Sequence, residues 1–167
     1  MQLRFEALAI RHDRSAFRGG EAALDDWFHK RAGQDDRRDV ARVFVALDDE
    51  KIAGFYSLGA FSLGLASLPE RLAAKLPRYD AVPAALIGRL ARDGRYRGEG
   101  IGELLLADAI NRALTAAKNL AIYAIAVNAK NARAAEFYRT YGFRPFPLDP
   151  VRLFITAAQA AAVSSRE

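Results

Sequence analysis

The first half of the chain alternates between segments with a strand-like and segments with a helix-like hydrophobic pattern. Three segments are rich in apolar, β-compatible residues, and we predict strands over 5–10, 40–47 and 52–60. A tight polar connection between the last two strands indicates a hairpin. Apolar residues at helical spacing predict an amphipathic helix over 21–32. The capping-box spacing of Ser67 and Glu70 predicts a helix from about 68 to 76, which Pro77 stops.

The second half of the chain alternates more regularly between strands and helices. Its apolar segments predict strands over 84–91, 121–127 and 151–155. Helices over 101–118 and 131–141 follow the first two strands, and Gly142 suits the left-handed position after a helix end. A polar, glycine-rich loop at 93–100 precedes the longer helix. This order indicates a mixed sheet with helices on its faces, followed by a frayed tail at 156–167.

Composition narrows the class of protein further. A chain of 167 residues that is 51% hydrophobic is long enough for one core, so we predict a single domain over 1–167. No apolar run is as long as a membrane-spanning helix, and the first residues lack a signal-peptide pattern, so we expect a cytoplasmic protein. Without cysteine, and with two histidines, we expect neither thiol chemistry nor a metal. The net charge of +5 favours polyanionic ligands.

The glycine-rich loop before the long helix is the first candidate binding site. Its central residues are Arg97, Gly98, Glu99, Gly100, Ile101 and Gly102. The unpaired amides of a helix N-terminus favour phosphates, and glycines allow a phosphate close to the backbone. The loop lacks the Lys-Ser/Thr pair of a Walker motif and the spacing of a dinucleotide motif. From these residues alone, a phosphate site and a loop that binds nothing are both open.

Arg97-x-x-Gly100-x-Gly102 resembles the acetyl-CoA signature of the GNAT N-acetyltransferases. The resemblance implies the α/β (α+β) GNAT acyl-CoA N-acyltransferase fold, with a mixed, mostly antiparallel sheet that is splayed between its fourth and fifth strands and flanked by helices. The loop amides would then bind the cofactor pyrophosphate, and the strand before the loop would pair with the pantetheine arm. The cofactor contacts implied in this region are Leu90, Ala91, Arg92, Arg97, Gly98, Gly100, Ile101 and Gly102.

A second segment, Asn131 to Tyr138 followed by Gly142-Phe143, resembles the Asn-x-x-Ala-x-x-Phe-Tyr and Gly-Phe pattern of the same family. Two helical turns separate Asn131 from Tyr138, so both lie on one side of the helix. The resemblance implies that both contact the cofactor and that Tyr138 is the catalytic acid. A tyrosine hydroxyl with a pKa of about 10 can donate a proton to a departing thiolate. The alternative for Tyr138 is an aromatic packed under the sheet, and no general base is evident.

Further segments along nearly the whole chain resemble the acetyltransferase toxins of bacterial toxin–antitoxin modules. They include Phe17-Arg18-Gly19-Gly20, Ala53-Gly54-Phe55-Tyr56, Leu86-Ile87-Gly88-Arg89 and Phe143-Arg144-Pro145-Phe146. The resemblance implies a toxin that acetylates the α-amino group of aminoacyl-tRNA and so blocks translation. It also implies a ribbon-helix-helix antitoxin and a homodimer. Basic positions that match the toxin pattern, expected to contact tRNA phosphates, are Lys30, Arg31, Arg42 and Arg89.

Two other functions remain open from the sequence. One is a GNAT acetyltransferase that acts on a small amine or on a protein N-terminus. The other is a non-catalytic acyl-CoA-binding interaction module, which the presence of Tyr138 disfavours. The chain also departs from the toxin pattern at Gly19, where cysteine is frequent, and at Arg92, where an apolar residue is common.

Overall fold

The computed structural model describes residues 2–164, in which strands and helices alternate. The strands are β1 (Leu3–Ala7), β2 (Arg42–Asp48), β3 (Lys51–Gly64), β4 (Ala81–Arg92), β5 (Ala124–Asn128), β6 (Arg144–Phe146) and β7 (Asp149–Thr156). The helices are α1 (Ala22–Lys30), α2 (Ala32–Arg37), α3 (Glu70–Ala73), α4 (Ile101–Ala116), α5 (Ala132–Thr140) and α6 (Ala157–Ser164). None of the helices in this described part is long and apolar enough to cross a membrane.

The strands form one sheet in the order β1-β2-β3-β4-β5-β7-β6. The pairing of β4 with β5 is parallel, whereas β1–β2, β2–β3, β5–β7 and β6–β7 are antiparallel. The ladder between β4 and β5 ends at the pair Ile87 and Val127, and β4 continues beyond it through residues 88–92. The predicted mixed, mostly antiparallel sheet with flanking helices is confirmed.

The chain divides into two compact units. Unit 1 combines the chain up to Gly59 with Gly88–Ala109, and unit 2 combines Ala60–Ile87 with the chain from Ile110 onward. Both β3 and β4 contribute residues to each unit. The single domain over 1–167 stays a prediction.

Aromatic side chains form the core of unit 1. Phe28 stacks on Phe55 with ring centroids 4.0 Å apart, and Phe17 meets both rings edge-on at 5.0 and 5.3 Å. Gly54 lies on the same strand as Phe55, and a Cβ added there would be 2.7 Å from Leu105 and 3.0 Å from the Ala91 carbonyl. Only glycine therefore allows α4 to pack this closely on β3, which fixes the start of that helix.

The core of unit 2 combines side chains from β3, β5, β6 and β7. Leu63, Ala126, Phe146 and Phe154 are buried together, and Phe146 packs on Phe154 with ring centroids 4.7 Å apart. The irregular segment between β3 and β4 adds the buried side chain of Leu68 to the same core. This packing holds the β6–β7 hairpin against the end of β3.

The predicted helix over 21–32 is two helices, because the chain leaves helical geometry at Arg31, with φ −120° and ψ −22°. The turn lets Ala32 reach the core, where it is fully buried. Two aspartates of α2 then anchor it: Asp35 accepts a hydrogen bond from the Trp27 indole at 2.9 Å, and Asp36 accepts one from the Val43 amide at 2.9 Å. Tertiary burial thus overrides the continuous helical pattern.

The predicted helix over 68–76 was wrong in length. The helix α3 covers Glu70–Ala73, its N-cap is Pro69, and no side chain caps it, so the predicted capping box does not form. Ser67 instead ends a short 3₁₀ turn, Leu65–Ser67. The predicted strand over 151–155 covers only part of the strand structure in this region. Residues before it form β6, which pairs with β7 as a hairpin. The predicted frayed tail is helical through Ser164, and residues 165–167 lie outside the described part.

Candidate functional site

The glycine-rich loop leads from β4 into α4 and belongs to unit 1. Gly98 has φ +82° and Gly100 has φ +74°, a left-handed conformation that favours glycine. A Cβ at Gly98 would have no neighbour within 4 Å, so the backbone there is open to a ligand. Ile101 is fully buried and anchors the first turn of α4, which also contains Gly102. The loop therefore presents backbone to solvent at the positive end of a sixteen-residue helix.

Asp93 holds the entrance to this loop. Its carboxylate accepts hydrogen bonds from the Arg95 amide at 2.8 Å, from the Arg95 guanidinium at 2.8 and 3.1 Å, and from the Arg18 amide at 3.0 Å. Burial of this side chain, which is 1% exposed, would raise its pKa. The hydrogen bonds outweigh burial and lower the pKa of Asp93. An ionised carboxylate thus joins the loop to the N-terminal segment.

Tyr96 forms a second anchor for the loop. Its hydroxyl donates a hydrogen bond to Asp48, at the end of β2, at 2.8 Å. Burial, together with this hydrogen bond, raises the pKa of Tyr96 to about 12. The following residue, Arg97, has extended backbone with φ −57° and ψ 134°. The side chains of Asp93 and Tyr96 are therefore both held by hydrogen bonds just before the exposed glycines. These bonds reduce the number of conformations that the free loop can adopt.

The end of β4 supplies the other predicted cofactor residues of unit 1. Ala91 is buried in the aromatic core, whereas Leu90 and Arg92 are half-buried. Gly19 approaches this strand so closely that a Cβ there would lie 3.3 Å from the Arg92 carbonyl. The glycine at this departure from the toxin pattern thus allows the N-terminal segment to pass close to β4.

The four predicted tRNA contacts lie in unit 1 and differ in their surroundings. Lys30 pairs with Asp26 at 2.7 Å, and Arg42 pairs with Asp36 at 3.0 Å and with Asp39 at 2.8 Å. Arg31 is exposed at the break between α1 and α2. The guanidinium carbon of Arg89 lies 4.1 Å from the centroid of a Trp27 ring. Burial lowers the pKa of Arg89.

Asn131 and Tyr138 lie at the two ends of α5 in unit 2. Asn131 is the N-cap, and its side-chain oxygen accepts a hydrogen bond from the Ala134 amide at 2.9 Å. Tyr138 is 5% exposed and meets Phe137 and Phe143 edge-on at 5.3 and 5.7 Å. The amide group of Asn131 still has its donor nitrogen available for another partner.

The hydroxyl of Tyr138 has an unusual environment. Among residues 2–164 no group forms a hydrogen bond with this hydroxyl. In the same range, every side-chain oxygen or nitrogen that is completely shielded from solvent has a hydrogen-bond partner. The hydroxyl oxygen therefore keeps contact with solvent while the ring is buried. Burial raises the pKa of Tyr138, so the group is fully protonated at neutral pH. The phenol therefore holds the proton that a general acid must donate, while burial makes it a weaker acid than a solvent-exposed tyrosine.

Three residues that anchor the site were not identified from the sequence: Asp93, Asp48 and Asp25. The last of these accepts a hydrogen bond from the Gly19 amide at 2.8 Å. An aspartate directly before the glycine loop was the one local signal, for Asp93. No group of three or more His, Asp or Glu side chains within residues 2–164 could hold a metal ion.

The family is shown by comparison with known proteins. Residues 39–145 match the family model described as an acetyltransferase (GNAT) domain. The match spans the glycine loop, Asn131 and Tyr138. The chain therefore belongs to the GNAT acetyltransferase family.

Two relatives are similar to this chain over most of its length. The “Probable toxin TacT” of Sinorhizobium fredii is 36% identical over 157 residues, which cover 89% of this chain and 87% of the relative. The “tRNA-acetylating toxin” of Mycobacterium tuberculosis is 37% identical over 151 residues, which cover 90% of each.

Two solved structures have the same fold. AtaT complexed with acetyl-methionyl-tRNAfMet is 26% identical, with a TM-score of 0.89 over 98% of this chain and 99% of that one. AtaTR bound with AcCoA is 27% identical, with a TM-score of 0.84 over 97% of this chain and 98% of that one.

The buried carboxylate of Asp93 makes a testable contribution to stability. We expect Asp93→Asn to lower the free energy of unfolding by about 1–3 kcal/mol at pH 7, because the amide cannot accept every bond that the carboxylate accepts. The folded-state pKa of Asp93 is depressed, so its contribution is fully present above the unfolded pKa of about 3.9 and is lost as the pH falls through the folded value.

Urea unfolding between pH 7 and pH ~3 measures this difference. The matched control is Asp49→Asn in an exposed turn, where φ is +52° and asparagine is well tolerated. An equal loss of stability in both variants, or a difference between wild type and Asp93→Asn that does not shrink as the pH falls below about 3.9, would contradict the role of the Asp93 charge.

The two functions of the Asn131 amide can be separated by substitution. We expect Asn131→Ala to cost about 1 kcal/mol of stability through the lost cap, whereas Asn131→Asp keeps the cap acceptor and stays close to the wild type. Thermal or urea unfolding of the three proteins checks this. If alanine is tolerated as well as aspartate, the cap seen in α5 does not contribute to stability.

Proposed function

We propose that this protein is an acetyl-CoA-dependent N-acetyltransferase that acetylates the α-amino group of aminoacyl-tRNA and acts as a toxin by blocking translation. The observation that carries the proposal is Tyr138, a buried and protonated phenol whose oxygen stays accessible. It lies in a chain that is 36–37% identical to two toxins over about nine-tenths of its length.

The loop between β4 and α4 is the proposed pyrophosphate site for acetyl-CoA. The left-handed Gly98 and Gly100, with Gly102 in the first turn of α4, leave backbone amides free to donate to phosphate oxygens, and Arg97 adds a charged donor. Ile101 holds the helix start in the core. A protein of the same fold has been solved with AcCoA, which supports the same cofactor here.

The pantetheine arm is assigned to the backbone of Leu90, Ala91 and Arg92, at the end of β4. Beyond the pair Ile87 and Val127 this strand has no ladder with β5, so its polar groups can accept another extended chain. The donor nitrogen of Asn131 is a further proposed cofactor contact, because only its oxygen is used by the helix cap. No metal is needed for this chemistry.

Acetyl transfer needs a neutral amine and a proton for the leaving group. The amine nitrogen forms a bond to the thioester carbonyl carbon, the carbon–sulfur bond breaks, and the amine releases its extra proton to water. Tyr138 donates its hydroxyl hydrogen to the sulfur as negative charge develops there, and solvent reprotonates the tyrosine through the accessible oxygen. The α-amine of an aminoacyl ester is unusually acidic, so a strong general base is less necessary.

Lys30, Arg31, Arg42 and Arg89 remain our candidate contacts for tRNA phosphates in unit 1. The ion pairs of Lys30 with Asp26 and of Arg42 with two aspartates would have to be exchanged for phosphate contacts. Arg31 and Arg89 have no such ion pair among residues 2–164. We therefore expect the last two to contribute more to tRNA affinity.

The biological partners follow from a toxic activity. A toxin that attacks charged tRNA acts in the cytoplasm and must be held inactive until needed, so we propose a ribbon-helix-helix antitoxin as its partner. A homodimer is proposed as its oligomeric state. Both proposals are supported by the likeness to toxins and are tested by co-purification of the neighbouring gene product and by the mass of the assembly in solution.

Transfer of radiolabelled acetyl groups from acetyl-CoA to bulk aminoacyl-tRNA tests the proposed function. We expect label on charged tRNA and none on deacylated tRNA. Tyr138→Phe should reduce kcat at least ~100-fold while acetyl-CoA binding is retained, because general acid catalysis contributes about that much. The matched control is Tyr141→Phe, just past the end of the same helix, which we expect to keep its activity.

Other results would redirect the assignment. A protein that binds acetyl-CoA and labels small amines or protein N-termini, but not charged tRNA, would be an acetyltransferase of another substrate class. If the wild type and Tyr138→Phe are equally inactive and both bind acetyl-CoA, the chain is a non-catalytic binding module.

A further inference from the structure

Two guanidinium groups of unit 1 meet beside Gly33, in the first turn of α2. Gly33 has no side chain, and a Cβ added there would lie 3.2 Å from Nη2 of Arg14 and 3.2 Å from Nη1 of Arg37. The two nitrogens are therefore separated by at most twice that distance. Glycine destabilises a helix relative to alanine, so its presence in α2 indicates that the two guanidinium groups need this space.

Arg14 is half-buried and is held in place from one side. Its Nη1 donates a hydrogen bond to the Phe28 carbonyl at 2.8 Å, and its guanidinium carbon lies 6.0 Å from the centroid of the Phe28 ring. Burial lowers the pKa of Arg14, and the positive charge of Arg37 lowers it further. The Arg14 charge is therefore partly desolvated and repelled by its neighbour, whereas most of its N–H groups have no partner among residues 2–164.

No carboxylate within residues 2–164 forms an ion pair with either of these arginines, and the Arg37 side chain donates no hydrogen bond in that range. The aspartates nearest to them in the sequence are bound to other groups: Asp13 to Ser15, Asp35 to Trp27, and Asp36 and Asp39 to Arg42. Two like charges this close repel each other unless an anion lies between them. The pair is therefore arranged to accept an anion.

A surface cavity of about 470 Å³ adjoins the pair, because Arg14 is also part of its lining. This volume lies within the range of about 300–1,000 Å³ that is typical of small-molecule pockets. His29 lines the same cavity and donates through Nε2 to the Phe17 carbonyl at 2.8 Å, so Nδ1 of the neutral ring is left as an acceptor. Further lining residues are Ile10, Asp13 and Ser15. The cavity thus offers partners for hydroxyl groups beside a site for one anionic group.

The arrangement of the two charges favours a phosphate over a carboxylate. A phosphate monoester carries up to two negative charges and has three terminal oxygens, which can accept N–H groups from two guanidinium groups at once. A carboxylate has one charge and two oxygens in a plane, and a single arginine already satisfies both oxygens. A second, mutually repelling arginine is therefore explained better by a phosphate.

We propose that Arg14 and Arg37 bind the phosphate group of a small phosphorylated ligand, such as a sugar phosphate, whose hydroxyl-bearing part lies in the adjoining cavity. Neither arginine is among the proposed contacts for acetyl-CoA or tRNA, and the inference does not depend on acetyl transfer. Arg14 lies between β1 and α1, and Arg37 is the last residue of α2. The bound phosphate therefore links the N-terminal segment to α2 and stabilises unit 1. An RNA backbone phosphate is the competing occupant.

Calorimetric titration of the full chain with ribose 5-phosphate, inorganic phosphate and ribose tests the site. We expect ribose 5-phosphate to bind with a Kd of ~1 mM or below, inorganic phosphate to bind about tenfold more weakly, and ribose not to bind. Arg37→Gln should weaken the binding of ribose 5-phosphate about tenfold, because one charge-assisted contact is lost. The matched control is Arg38→Gln, which removes the same charge from the next position and should stay within about twofold of wild type.

Thermal unfolding distinguishes a ligand site from a purely structural arginine. Without ligand, Arg37→Gln should be at least as stable as the wild type, because a repulsion is removed and no bond to residues 2–164 is lost. Saturating ribose 5-phosphate should raise the Tm of the wild type and of Arg38→Gln equally, and that of Arg37→Gln much less. Gly33→Ala should also reduce this ligand-induced rise, because its Cβ crowds both guanidinium groups.

Three outcomes count against the inference. Binding of ribose 5-phosphate that is equal in the wild type and in Arg37→Gln, or absent from both, excludes the site. Equal weakening in Arg37→Gln and Arg38→Gln indicates attraction by overall charge alone. A loss of affinity for a short single-stranded RNA in Arg37→Gln that exceeds the loss for ribose 5-phosphate assigns the pair to an RNA backbone. Acetyl transfer to charged tRNA enters none of these measurements, so its failure would count against the proposed function alone.

Discussion

The buried carboxylate of Asp93 is the interaction on which unit 1 depends. Placing a charge where it is 1% exposed is costly unless hydrogen bonds replace the lost water, and here Arg95 and the Arg18 amide supply them. The same aspartate begins the turn that becomes the glycine loop. The conformation of the proposed pyrophosphate site is therefore set by a bond to a residue 75 positions away in the chain.

Packing and electrostatics serve the same purpose in this unit. The closeness of α4 to β3 at Gly54 and the burial of Ile101 fix where the helix begins, while the positive φ values of Gly98 and Gly100 leave the preceding backbone exposed. The loop is rigid where it is anchored and open where a phosphate would bind. Such pre-organisation reduces the entropy cost of binding an anionic cofactor.

In unit 2 the main feature is Tyr138, whose ring is buried while its hydroxyl oxygen remains accessible to solvent. Edge-on packing with Phe137 and Phe143 immobilises the ring, and burial raises the pKa of its hydroxyl, but the oxygen keeps contact with solvent. A phenol in this state donates a hydrogen bond readily and ionises reluctantly. In the reaction that we propose, it would supply a proton to the departing sulfur without carrying a negative charge beforehand.

The features that could be predicted from the sequence have local causes. Glycines at 98 and 100 are required by the backbone conformation of their own loop, and the spacing of Asn131 and Tyr138 follows from helix geometry. The break at Arg31 could not be predicted, because it depends on the burial of Ala32 against distant residues. The hydrogen bond between the Arg18 amide and Asp93 could not be predicted either, because the two residues are far apart in the sequence.

Charge was the least predictable property for the same reason. Lys30 and Arg42 are indistinguishable from other basic residues in the sequence, and only the folded chain pairs them with aspartates. The division into units also concentrates the positive excess in unit 2, although no charge block marks it along the sequence.

The central claim is that the acetyl group is transferred to the α-nitrogen of an amino acid esterified to tRNA. The most direct measurement is mass spectrometry of the amino acids released from charged tRNA after reaction with acetyl-CoA and this protein. We expect amino acids that are heavier by one acetyl group, with the modification on the α-nitrogen. Amino acids of unchanged mass, from a reaction in which acetyl-CoA is bound and intact protein is present, would contradict it.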